Sequence, residues 1–505
     1  MAQPLQSINL VAPAFKGVNT EDSPIAQDPS YADVADNAVI DKRGRIAARK
    51  GIEVITTDKT ELGVDYVHKI HYFYDDAGNE VVFTAGNNKI MTGTTTLTDV
   101  TPAAYTITQN NWKIVNFNDK AYFFQRGYDP LVYDNATGLR TFTVATGGAT
   151  AATLKCHEAI GAYGRLWVVD NATDTQTIYW SDLLIGTDFT GGSSGSIDVS
   201  KAWPDGYDEV RALAAHNNAL IIFGKHSILV YGNASSPASM ALVDTVAGVG
   251  CICRNSVQHT GTDVLFMSNS GLRSFGRTIQ EKSLPLSDLS LNVKTEIISL
   301  VENRTLPTAS VYSPENSFYL IAFPDQSTVY CFDLKGKLEN GAYRVTRWTS
   351  VPHKSFERDT DGTLYIGTSD GVGTYSGYSD NTTAYRFRYF SPGLTFGDPA
   401  KIKLLKKLRP TLVGASGTTV FIKWAYDLDT DFKTYEFTVG NQTPAFFGVD
   451  EFGIGEFTGG ELTTRNPVQA TGNGSIITIG LEAEIDGSAL SLQEINVLAL
   501  MGKTV

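Results

Sequence analysis

Gly367-Thr368-Ser369-Asp370-Gly371 has the spacing of a nucleophile elbow, in which a serine on a strained strand-to-helix turn attacks an ester or amide. That chemistry needs a histidine later in the chain. The last of the seven histidines, His353, precedes Ser369, and the motif falls between two strand-like runs, where a hairpin is expected. His68 and His71 flank Lys69-Ile70, but no carboxylate or cysteine beside them in sequence completes a metal set, so they read as surface or strand-edge histidines. Cys251 and Cys253 are too close for an ordinary disulfide and lack further ligands at zinc spacing. Reduced, buried thiols made in a cytoplasm are expected. No phosphate-binding loop or dinucleotide fingerprint is present. The expectation is no enzyme, no catalytic residue, no metal and no cofactor.

Asp359-Thr360-Asp361-Gly362-Thr363 is similar to the Asp box of sialidase-type propellers, yet Leu364 stands where that box carries an aromatic residue. It reads as a turn. Charge is more informative. Lys401, Lys403, Lys406, Lys407 and Arg409 form the one strongly basic run, a solvated strand face or a contact to an acidic partner surface or to nucleic-acid phosphate. The next stretch reverses sign, with Asp427, Asp429, Asp431, Glu436, Asp450, Glu451, Glu456 and Glu461 against Lys433 alone. Adjacent blocks of opposite charge suit heterologous contacts, one copy's basic face meeting its neighbour's acidic face.

The elements that must position these residues recur. Apolar runs end at Phe83, Phe124, Val169, Phe223, Met267, Phe323 and Ile366, roughly 40–55 residues apart. Each follows a turn rich in Gly, Asn and Asp, such as Asn116-Phe117-Asn118-Asp119 or His216-Asn217-Asn218, and precedes a second strand-like run such as Ile228–Tyr231. This period predicts a propeller of about seven four-stranded blades; an antiparallel sandwich of regular hairpins is the plainer alternative. Two spacings are long. Residues 185–208 are Gly/Ser-rich and predict a mobile surface loop. Residues 285–301 are the best helix candidate, with Ser287 as N-cap.

The chain has 505 residues, 42% apolar, and a net charge of −13, which argues against a protein that wraps DNA with basic surface. No run approaches the ~18 apolar residues of a membrane-spanning helix, and no signal peptide is expected at Met1-Ala2-Gln3-Pro4. The fold class is all-β, in three regions. Residues 1–60 are an arm with little core of its own, ordered by packing on the C-terminal domain or a neighbouring copy. Residues 61–380 are the propeller, and residues 381–505 a sandwich- or barrel-like β domain sharing few core residues with it.

The arm carries Lys16-Gly17-Val18-Asn19, then Asp36-Asn37-Ala38-Val39-Ile40, then Gly44-Arg45-Ile46-Ala47-Ala48-Arg49-Lys50-Gly51. It resembles the opening of tail nozzle or hub proteins of short-tailed bacteriophages, the tail tubular protein B or packaged-DNA stabilisation protein family. Leu220–Tyr231 is similar to a blade of that family. The resemblance implies a structural, non-enzymatic virion component assembled in the host cytoplasm. Six copies would form a ring below the portal and adaptor, contact tail fibre or needle proteins, and close the channel until genomic DNA passes without sequence recognition. On that reading Lys401, Lys403, Lys406, Lys407 and Arg409 lie at an interface, and Asp427, Asp429 and Asp431 line the channel. A carbohydrate-binding or glycan-cleaving tail propeller is the alternative.

Overall fold

The computed structural model describes residues 5–142, 154–281, 288–349, 353–440 and 463–504. Each apolar run named above becomes the second strand of an antiparallel sheet, in Glu80–Gly86, Lys120–Phe124, Arg165–Asn171, Ala219–Gly224, Val264–Ser268, Phe318–Phe323 and Leu364–Thr368. These strands lie between neighbours and pack against the next sheet, so they are apolar on both faces; Leu220, Ile221, Ile222 and Phe223 are all fully buried. Asn118-Asp119 and Asn217-Asn218 take positive φ at both positions of two-residue hairpins, the turn that matches strand twist.

Among the described residues the result is a β-propeller with six four-stranded blades, which begin at Lys69, Lys113, Cys156, Val210, Ala309 and Ser355. The expectation of seven such blades is corrected. The unit containing Met267 stops at three strands, Gln258–His259, Val264–Ser268 and Gly271–Ser274. It then turns into helix α1, Phe275–Glu281. Asp263 drives that switch: its carboxylate accepts the Gly276 N–H at 2.9 Å and the Ser274 hydroxyl, while Phe275 buries against Phe223. Helix α2, Lys294–Glu302, follows; the expected helix thus starts later, and Ser287 lies outside the described residues. The Gly/Ser-rich stretch also differs from expectation. Gly195–Asp198 is the outer strand of the third blade. The turn before it is pinned by Asp188, which accepts the Thr190 and Gly191 N–H groups, and by Asp182, which accepts that of Ser193. The ring closes where the first strand of the last blade meets that of the first, and Ile52–Val54 completes the last blade beside Gly371–Tyr375.

The propeller and the C-terminal region are not separate bodies. The outer strand Tyr343–Thr349 of the fifth four-stranded blade pairs with Val34–Asp36, which pairs with Tyr385–Phe390. One nine-stranded sheet then continues through Ile477–Ile485, Thr419–Tyr426 and Lys433–Thr438. A second sheet joins Leu490–Thr504 to Lys401–Gly414, to Ile46–Ala48 and to Leu5–Val11. One core holds Leu408, Trp424, Ile479 and Ile495 together with Tyr319, Ile321 and Phe332 of the propeller. The expectation of few shared core residues fails because the arm supplies the strand that joins the two sets.

Candidate functional site

The arm residues Asn37, Arg49 and Gly51 converge on this seam. Arg49, 1% exposed, makes a two-pronged ion pair with Asp380, Nη1 to Oδ1 at 2.8 Å and Nη2 to Oδ2 at 2.6 Å. Its guanidinium lies 4.2 Å from the Tyr385 ring centre, and its Nε donates to Asn37 Oδ1. Burial works against the charge of Arg49, and Asp380 more than offsets it, raising the pKa above the usual arginine value. Asn37, at positive φ, donates to the Arg386 carbonyl and accepts the Thr349 N–H, bridging the propeller's outer strand to the strand after it. Gly51 has no room for a Cβ, which would stand 1.9 Å from the Ser379 carbonyl oxygen.

Sequence reasoning missed the charged ladder across this seam. Asp36 pairs with Arg347 and Arg388, and Glu482 with Arg386, Arg388 and Lys423. Burial pushes the Glu482 carboxyl up, but Lys423 and the two arginines hold it below the usual range. The signal was the alternation Arg386-Phe387-Arg388 against Glu482-Ala483-Glu484, with charges on one face of paired strands.

The basic run is one strand, but its side chains divide. Lys403 is fully buried, and its ammonium donates to the Ser475 and Asp398 carbonyls. It is therefore removed from the expected interface set. Lys401 pairs with Asp398 at 3.0 Å, while Lys406 is exposed and Lys407 and Arg409 are half-buried. Asp427, Asp429 and Asp431 sit on the hairpin between Thr419–Tyr426 and Lys433–Thr438. Asp427 accepts the Ser475 and Ile476 N–H groups, and Asp429 that of Asp431, so at least Asp427 holds a turn. Asp450, Glu451, Glu456 and Glu461 lie outside the described residues.

Ser369 and Asp370 form a two-residue hairpin and Asp370 pairs with Lys59; no strand-to-helix turn is present there. Asp359 accepts the Thr363 N–H in a turn closed by Gly362 at positive φ. All four cysteines are buried and none forms a disulfide. His71 corrects the surface reading. It points into the axial passage of the propeller, 9% exposed, with Nε2 on Asn116 at 2.7 Å and Nδ1 3.9 Å from Glu357. Burial and then the Lys69 charge press its pKa to about 3, while burial lifts that of Glu357 to about 7. Lys113 and the fully buried Glu158 meet at 2.7 Å in the same passage. Among the described residues no group of three His, Cys, Asp or Glu side chains is placed to hold a metal ion. No helix among them is long and apolar enough to cross a membrane.

No known protein family and no curated protein matches the chain. Solved structures similar to it include the extracellular domain of BT4673 from B. thetaiotaomicron, with TM-score 0.43 and 11% identity, over 81% of this chain and 59% of that one. The Neurospora crassa Pan2 WD40 domain gives 0.38 and 8%, over 65% and 94%. The WD40 propeller of Doa1 gives 0.37 and 12%, over 64% and 96%. Similarity this loose says nothing about what the chain binds.

Proposed function

We propose that this chain is a structural subunit of a short bacteriophage tail, a nozzle that forms a hexameric ring below the portal and adaptor and carries DNA without chemistry. The observation that supports it most is the Arg49–Asp380 fastening. The motif residues of the resemblance, Asn37, Arg49 and Gly51, join the propeller to the C-terminal sheets, as suits a rigid structural subunit. They are joints, with no reacting group among them. On this reading the two-sheet C-terminal region is the platform of the ring. Lys401, Lys406, Lys407 and Arg409 offer the basic side of the subunit contact, and Asp429, Asp431 and Glu436 an acidic side or channel wall. The protein would reside in the virion tail after assembly in the host cytoplasm. Mass photometry and negative-stain imaging of the protein, alone and mixed with a portal–adaptor complex, test the proposal. Six-fold rings docked below the adaptor are expected. A monomer that ignores the complex at micromolar concentration overturns it.

A further inference from the structure

We propose that the axial passage of the propeller is a binding site for a small polyanion, a molecule bearing two or more phosphate or carboxylate groups. The passage is a series of connected cavities. One of about 250 Å³ is lined by Lys69, Lys113, Arg254 and Lys354. It shares Asn111, Arg254 and Thr308 with a second of about 140 Å³, which shares Arg211 and Arg304 with a third of about 450 Å³ that also reaches Lys225. Seven Lys and Arg side chains line these three cavities against two acidic ones, Glu357 and Glu302, with Glu158 behind Lys113, in a chain whose net charge is −13.

Some of these cations are already neutralised. Lys113 holds Glu158, Arg254 holds Asp170, and Arg211 holds Glu209. Lys69, Lys354, Lys225 and Arg304 have no carboxylate within 4 Å among the described residues; Lys354 rests over the Tyr66 ring at 4.1 Å, and Arg304 donates to the Val301 and Ile252 carbonyls. Lys69 stands worst placed. Burial lowers its pKa, and the Glu357 and Glu158 carboxylates only partly oppose this while the Lys113 charge adds to it. Clustered ammonium groups in a low-dielectric enclosure repel one another, and a multivalent anion between them would relieve that repulsion. Walls with an excess of positive charge also concentrate anions at the mouth. Amide and hydroxyl groups of Asn255, Gln258 and Ser310 line the same wall and can orient an oxyanion. A volume of about 250 Å³ admits a molecule the size of tripolyphosphate or citrate and excludes a strand or helix. The proposal does not depend on the ring assembly above.

The test is titration calorimetry of the full chain with tripolyphosphate and, separately, with citrate at fixed ionic strength. Saturable one-to-one binding of either is expected, and which one binds distinguishes phosphate from carboxylate chemistry. The double variant Lys69→Met, Lys354→Met should weaken it at least tenfold, while Lys120→Met on a blade turn should not. Should the double variant misfold, amine acetylation of the wild type read by mass spectrometry serves instead: ligand should shield Lys69 and Lys354 and leave Lys120 reactive. No saturable binding by either anion, equal affinity in a folded double variant, or no selective shielding overturns the proposal.

Discussion

Arg49 and Asp380, 331 residues apart in the chain, are locked together by two parallel hydrogen bonds at the seam between propeller and C-terminal sheets. Their planar, two-pronged geometry is specific to a guanidinium, and the Tyr385 ring on its face leaves an ammonium poorly placed. Asp380→Ala strands a buried cation and should cost roughly 3–5 kcal/mol, with Arg49→Lys intermediate. Urea denaturation checks this; a loss below about 1 kcal/mol in both variants would show that the pair is dispensable.

A second prediction follows from the arm. Val34–Asp36 lies inside a nine-stranded sheet, with partners on both sides. Deleting residues 1–40 should therefore lower the melting temperature of the whole body by well over 10 °C or prevent folding. Deleting residues 1–11, which takes away the edge strand Leu5–Val11, should cost far less. Differential scanning calorimetry separates the two truncations, and equal melting temperatures would refute the claim.

The sequence made the propeller visible because each second strand is buried on both faces and so reads as an unbroken apolar run between turn residues, as in Leu220–Phe223. It hid whatever depends on partners distant in the chain. Ile52–Val54 and Val34–Asp36 are three residues each, too short for a pattern, and only their pairing with Gly371–Tyr375 and Tyr385–Phe390 gives them meaning. Lys403 was misread for a different reason. The strand shifts register between Lys401 and Lys403 and again between Leu405 and Lys407, so simple alternation cannot say which lysine faces inward. His71 and Glu357 meet where the first strands of the first and last blades adjoin, a contact that no local motif announces.

Acid should weaken the fold through its buried histidines. Burial lowers the pKa of His71 and His353 to about 3 and that of His157 well below its ordinary value. Each group's folded pKa is depressed, so its contribution is present above the unfolded value near 6.5 and is lost as pH falls from there toward 3. Glu357 acts oppositely. Its folded pKa is raised to about 7, so its contribution is complete below about 4.5 and is lost as pH rises to 7. Burial also raises the carboxyls of Asp33, to about 6, and of Asp288, which act as Glu357 does. It lowers the pKa of His259, which acts with the other histidines. The histidines carry the larger shifts, and stability should drop between pH 6.5 and 4, by at most about 1.4 kcal/mol per pH unit for each histidine. His353, 1% exposed, has no hydrogen-bond partner for Nδ1 among the described residues, so His353→Leu is the cleanest variant. It should flatten the profile measured by urea midpoints; an unchanged slope would mean that His353 is not buried neutral.

The last prediction tests the channel wall and rests on the proposed ring. Passing DNA needs a surface that binds phosphate weakly, because each neutralised phosphate adds salt-dependent affinity. Acidic side chains act on the DNA backbone only within a screening length of roughly 8 Å at physiological salt. Asp427 is unsuitable for the test, since Asp427→Lys would break the two backbone hydrogen bonds it accepts from Ser475 and Ile476 and so perturb the fold. Asp431 and Glu436 lie exposed on the hairpin and its edge strand, and no hydrogen bond or ion pair ties either side chain to a partner among the described residues. The double variant Asp431→Lys, Glu436→Lys should leave subunit melting and ring assembly intact while slowing DNA release from particles, most at low salt. Release kinetics that match wild type at every salt concentration, with intact particles, would place this hairpin away from the DNA path. Rings that fail to form would instead assign the hairpin to the subunit contact, opposite Lys406, Lys407 and Arg409.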